Sequence, residues 1–189
     1  MSVLLIIHTQ KGIMNPTFAK TEILNRISEF AGKARKQGLP VIFLREEESA
    51  PGAPFAKNTY NWEFANELMP EPGDIIIAGE AYDTFHETPL LGYLTKAKCK
   101  HIYVCGALSE FCIESSIRRA PTLGFNVTLV GDCHTTEDNG VLSPEMTIKY
   151  VNHVNNGYSV VTKGVEYRIE VQNASQVAFL PPALNLPLE

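Results

Sequence analysis

The sequence predicts an α/β fold of the doubly wound kind: a mostly parallel six-stranded sheet, order 3-2-1-4-5-6, in a three-layer α/β/α arrangement. Three observations carry this. Short apolar runs rich in β-branched residues recur along the chain. Stretches with apolar residues at helical spacing separate most of them. The runs are apolar throughout rather than alternating, which suits strands covered on both faces.

Residues 3–7, VLLII, form the first strand. In residues 18–38, Ile23, Leu24, Ile27, Phe30 and Ala34 share one helical face, and Gly38 supplies the stop. Further strands fall at 40–44 (PVIFL), 74–78 (DIIIA), 101–106 (HIYVCG), 126–131 (NVTLVG) and 158–162 (YSVVT). Helical patterns at 87–98, 110–123 and 143–156 lie between the later strands. Ser143 reads as an N-cap with Pro144 at the first helical position. Gly124 and Gly157 read as helix stops.

Two segments depart from this rhythm. Residues 45–73 are too long for an ordinary connection and carry Trp62, the only tryptophan; such loops are often lids or oligomer contacts. The proline-rich tail, 179–189, is not helical. It is either an extended arm on a neighbouring subunit or a disordered end. With no internal repeat and no composition break, residues 1–189 read as one domain.

The formal charge of -5, without a basic stripe, argues against nucleic acid as a partner. No secretory leader is visible, and no run approaches the roughly 18 apolar residues of a membrane span. No membrane association is expected. Cys99, Cys105, Cys112 and Cys133 form no CxxC pair, so free thiols in a reducing cytoplasm are expected.

In open parallel sheets, ligands bind beyond the carboxyl ends of the strands, where strand order reverses. That places His8, Thr9 and Gln10, after the first strand, beside GALSEFC (106–112), after the fourth. Cys112 falls in the first turn of its predicted helix, where the dipole and free N–H groups favour a thiolate or a developing oxyanion. No GxGxxG or Walker loop is present. Asp132, His134, Glu137 and His153 lack a tight metal-ligand motif, so neither a metal nor another cofactor is expected.

Three stretches carry a family likeness: VLLIIHTQKGI, AYDTFHETPLLGYL and YVCGALSEFCIESSIRRAPTLGFNVTLVGDCHTTED. Together they resemble the isochorismatase-like cysteine hydrolases, relatives of nicotinamidases and carbamoyl-amide hydrolases, over roughly residues 3–162. The resemblance implies a Cys thiolate that attacks an amide-type carbonyl, an Asp at the end of the first strand that takes the thiol proton, and a Lys after the third. By position the nucleophile is Cys112. The backbone N–H groups of Leu108 and Cys112 would hold the oxyanion, and a cis peptide bond is expected between Ala107 and Leu108. The other two positions differ. His8 stands where the family has Asp, and counting back from Phe85 puts Gly79 where it has Lys. The exchanges cancel in charge, since Asp with Lys and neutral His with Gly are both neutral.

Two readings of function follow. In one, His8 takes the thiol proton and forms an imidazolium–thiolate pair, and the protein hydrolyses a small amide-type substrate. In the other, it is an inactive homologue that binds a small molecule or serves as an oligomeric interaction module. A homodimer or homotetramer is expected. Supporting residues remain open between two roles each. Gln10 either orients His8 or caps the strand end. Glu110 either accepts a proton or satisfies helix N–H groups. Tyr82 and Phe85 line a pocket or fill the core. Arg118 and Arg119 pair with local acids or hold a carboxylate substrate.

Overall fold

The first strand is apolar along its whole length because it lies at the centre of a sheet buried on both faces. The structure, a computed structural model, describes residues 1–182. Strand β1 (Ser2–Ile7) has no exposed residue. It pairs in parallel with β2 (Val41–Glu46) on one side and β4 (His101–Ala107) on the other. Strand β3 (Ile75–Gly79) lies outside β2 and β5 (Asn126–Thr135) outside β4, all parallel.

Side chains alternate across the sheet and feed two cores. On one face, Val3, Leu5 and Ile7 meet Ile117, Ala120 and Phe125. On the other, Leu4 and Ile6 meet Ile23, Leu24, Ile27 and Phe30 of helix α2 (Lys20–Lys36). Each such aliphatic side chain, fully buried, contributes about 1.5–3 kcal/mol. Helix α1 (Lys11–Met14) is a single turn after β1. Helices α3 (Leu90–Lys96), α4 (Glu114–Thr122) and α5 (Pro144–Asn155) complete the layers. Ser143 caps α5 by accepting from Met146 N.

The far edge differs from expectation. Among the described residues the sheet has seven strands, in the order β3-β2-β1-β4-β5-β7-β6. The expected sixth strand, β6 (Ser159–Thr162), is the antiparallel outer edge. The place beside β5 belongs to β7 (Val165–Gln172), which runs parallel to it. A two-residue turn reverses the chain between them. Lys163 and Gly164 both have positive φ, 53° and 77°, as the tightest hairpins require.

The described part of the tail packs on its own chain. Phe179 sits between Phe30 and Tyr103 of its own chain, each ring centroid 5.0 Å away. Ser2 Oγ donates to Leu180 O at 2.7 Å. Residues 183–189 lie outside the described part. All four cysteines are unpaired and buried. Among the described residues, no helix is long and apolar enough to cross a membrane.

Candidate active site

The carboxyl ends of four adjacent strands form a rim. Across it come Gly79 of β3, Glu46 of β2, His8 just beyond β1, and Ala107 of β4. Gly79 and Glu46 are in direct register, so both lie on one face, the face of Leu44 and Ile77. Glycine is required one step before Ala107. A Cβ at Gly106 would come within 2.0 Å of Ile7 O, and its φ is 124°.

The bond between Ala107 and Leu108 is cis. A π-helical turn (Ser109–Ile113) follows and runs into α4. Cys112 lies in this wide turn, ahead of the α-helix rather than in its first turn. Its side chain is 4% exposed. Burial pushes the thiol up to about 12; the nearby backbone N–H groups of Leu108 and Cys112 pull it down, and the Glu46 carboxylate pushes it up.

His8 is 2% exposed, and burial pulls its imidazole down to about 4. Its φ of 49° is unusual for a residue with a Cβ, and its backbone N–H donates to Leu44 O at 2.9 Å. Nδ1 has no hydrogen-bond partner and stands 3.9 Å from Glu46 Oε2. Burial thus favours a thiol at Cys112 and a neutral imidazole at His8 over the imidazolium–thiolate pair of the hydrolase reading. The site is not free of charge, because Glu46 adds a carboxylate. Burial, then the neighbouring Glu48, raises the Glu46 carboxyl above its ordinary value.

Gln10 caps strand ends and does not bind His8. Its Nε2 donates to Glu46 O at 2.8 Å and Trp62 O at 3.1 Å, and its Oε1 accepts from Glu46 N at 2.7 Å. One buried amide thus ties β1, β2 and the long loop together. The loop adds Lys11 N to Glu63 O and Ala65 N to Thr9 O, at 2.8 and 3.0 Å. Trp62 donates to Glu47 Oε2 at 2.7 Å, and Arg45 stacks over its ring at 3.8 Å.

The remaining candidates are spread out. Phe85 packs in the core against Phe125, 6.2 Å between centroids. Tyr82 is exposed and leans on Phe111 at 5.4 Å. Glu110 Oε1 accepts from Asn139 at 3.3 Å, which ties the Cys112 turn to the loop after β5. Arg118 pairs with Glu114 at 2.9 Å, and Arg119 lies 3.8 Å from Asp83.

His134 is held by two hydrogen bonds. Ser109 Oγ lies 2.8 Å from Nδ1, and Asn152 Oδ1 lies 2.9 Å from Nε2. Asn152 Nδ2 in turn donates to Gly131 O at 2.9 Å. Because Asn152 Oδ1 can only accept, Nε2 carries the proton and Nδ1 accepts from Ser109. Burial, which lowers the imidazole, favours this neutral form, and the ring anchors the start of the Cys112 turn. Among the described residues, no group of three or more His, Cys, Asp or Glu is arranged to hold a metal ion.

Gly79 also lines a cleft of about 670 Å³ with Glu47, Ser49, Glu80, His86 and Glu87. Cys112 is not one of its walls. Sequence reasoning missed Glu46, which touches both His8 and Cys112 electrostatically.

An isochorismatase-domain family profile matches residues 2–156. Streptothricin hydrolase of Streptomyces noursei is 32% identical over 141 residues, covering 73% of this chain and 51% of that protein. The chain thus spans about half the length of this curated relative. Among solved structures, an isochorismatase from Pseudomonas putida KT2440 superposes with a TM-score of 0.80 at 23% identity, covering 94% of this chain and 90% of that one. A cysteine hydrolase from Pseudomonas syringae pv. phaseolicola 1448A superposes at 0.78 and 21%, covering 93% and 89%. The two structural likenesses concern the fold.

Proposed function

Since the chain belongs to the isochorismatase family of hydrolases, we propose that it cleaves a small amide-type substrate through the thiol of Cys112. One observation carries this reading: Cys112 is buried in the π-helical turn Ser109–Ile113 that leads into α4, where the backbone N–H groups of Leu108 and Cys112 act to lower its thiol against the effect of burial. Donors fixed in that way hold a carbonyl oxygen as it becomes an oxyanion, without reorganising.

The steps balance as follows. The thiol proton moves to the imidazole of His8 as sulfur bonds to the carbonyl carbon, and the C=O electrons move onto oxygen. Collapse breaks the C–N bond, and the amine leaves with the proton from His8. Water then attacks the thioester, giving a proton to His8 and displacing Cys112, which takes that proton back. A thiol at about 12 and an imidazole at about 4 require transfer to accompany attack rather than precede it.

The same two values favour a second reading, in which the site binds a small molecule without turning it over. A panel of amides and esters, with streptothricin included because of the relative's name, separates the two. The expected result is turnover by the wild type that Cys112→Ala reduces to background. Turnover that survives Cys112→Ala would sink the nucleophile assignment. A panel without turnover, in which one compound raises the melting temperature, supports the binding reading.

A further inference from the structure

We infer that Glu46 is the carboxylate partner of His8, so that the reacting group is a Cys112–His8–Glu46 triad in which the acid comes from the strand next to β1. The inference rests on the hydrolase reading above. Glu46 would be a positioning residue: it acts on the thiol through the imidazole.

The geometry narrows the choice of acid to this residue. His8 Nδ1 is buried and without a hydrogen-bond partner, and Glu46 Oε2 is 3.9 Å from it. A closure of about 1 Å would make a charge-assisted hydrogen bond. Nδ1–H then faces the carboxylate, which leaves Nε2 as the ring nitrogen free to take a proton. The backbone N–H and C=O of Glu46 are both clamped by Gln10, so the side chain starts from a fixed point. Among the described residues, no hydrogen bond occupies its carboxylate. The neighbouring Arg45 does not neutralise it, because alternation puts Arg45 on the opposite face, stacked on Trp62 and Phe64.

The charged and titratable groups around Glu46 are His8 from β1, Cys112 from the turn after β4, and Glu48 along its own chain. Gly79 of β3 contributes none. When His8 takes the proton, the imidazolium forms beside an ionised carboxylate, which stabilises it.

Removing the carboxylate gives opposite results under the two possible roles. As a mere neighbouring charge it opposes the thiolate, so Glu46→Gln would speed alkylation of Cys112. As the partner of His8 it supports proton transfer, so Glu46→Gln slows it, by about tenfold for one unit of change in basicity. The test is iodoacetamide alkylation of the full chain, followed at Cys112 by peptide mass mapping, in wild type, Glu46→Gln, Glu46→Asp and His8→Gln.

We expect slowing in Glu46→Gln, partial recovery in Glu46→Asp, and no further slowing when Glu46→Gln is added to His8→Gln. Carbon-13 NMR of the His8 ring needs neither substrate nor alkylating agent, and should show a lower titration midpoint in Glu46→Gln. An unchanged midpoint, or alkylation that is unchanged or faster, overturns the role of Glu46. It leaves the hydrolase reading intact wherever turnover depends on Cys112; turnover independent of Cys112 overturns that reading instead.

Discussion

Gly79→Ala tests the packing of the rim where the resemblance places a lysine. A Cβ at Gly79 would stand 2.8 Å from Thr88 Cγ2, whereas ordinary contact begins at 3.4 Å. Thr88 is not free to turn away. Its Oγ1 donates to Thr84 O at 2.6 Å and accepts from Leu90 N at 3.4 Å, at the start of α3. Rotating the methyl aside would break both bonds. Overpacking of this kind costs about 1–3 kcal/mol. Alanine recovers about 0.4–1 kcal/mol by restricting the unfolded chain. The net expectation is a loss of about 1–2 kcal/mol. Thr88→Ser removes Cγ2 and keeps Oγ1, so the loss should vanish in the double variant. Urea unfolding of the wild type, both single variants and the pair measures this coupling. A Gly79→Ala protein as stable as the wild type, or one that loses as much beside Ser as beside Thr, refutes the steric argument.

Acid should destabilise the fold in a defined window. The unfolded chain protonates His8 near its ordinary 6.5, whereas the folded chain does so only near 4. Stability contributed by the neutral imidazole is complete above 6.5 and declines as pH falls toward 4, by about 3 kcal/mol in all. His101, also pulled down to about 4 by burial and the N-terminal ammonium, adds a similar decline. His8→Gln should therefore flatten the slope of unfolding free energy against pH between 6.5 and 4, leaving the declines due to His101 and to His134, which burial also lowers; a slope that does not change counts against the burial of His8. Gln10→Ala removes three hydrogen bonds and leaves backbone groups of Glu46 and Trp62 unpaired. A loss of at least about 3 kcal/mol is expected, at about 1–3 kcal/mol for each of the three orphaned groups. Hydrogen exchange should quicken at Glu46 and along residues 61–65, and protection there as strong as in the wild type would show that the amide is not the clamp.

What could be read in advance was what lies together in the chain. The Cys112 segment is one continuous run of strand, glycine, loop, cysteine and helix, so the family resemblance could be followed along it residue by residue, as far as the cis bond between Ala107 and Leu108. Glu46 was not, because it comes from a different strand and sits in REEES, a run that reads as solvated charge. Its role depends on β2 continuing two residues past Leu44, to Glu46. Only then does alternation put Glu46 on the face of Leu44, opposite Gly79. The seventh strand did leave a signal: Val165, Tyr167, Ile169 and Val171 alternate with Glu166, Arg168, Glu170 and Gln172. Its pattern differs from the fully apolar central runs because only Ile169 is buried in it. Phe85 and Tyr82 have the same kind of ring, and which one joins the core is set by the fold of residues 80–89, not by residue type.

The rim also explains why its differences from the family pattern have to be considered together. An Asp at position 8 would add a second carboxylate near Glu46. Two like charges about 4 Å apart repel by about 4 kcal/mol at an effective dielectric of 20. A cation on the same face would relieve this, and Gly79 is the position in register with Glu46. Yet a side chain at 79 collides with Thr88. His8→Asp alone therefore creates a repulsion, and Gly79→Lys alone creates a clash. Converting this site to the family's Asp and Lys takes His8→Asp, Gly79→Lys and Thr88→Ser at once. On the proposed triad, the single carboxylate of Glu46 already has in His8 a partner that can take up a positive charge, so no lysine is needed to balance it.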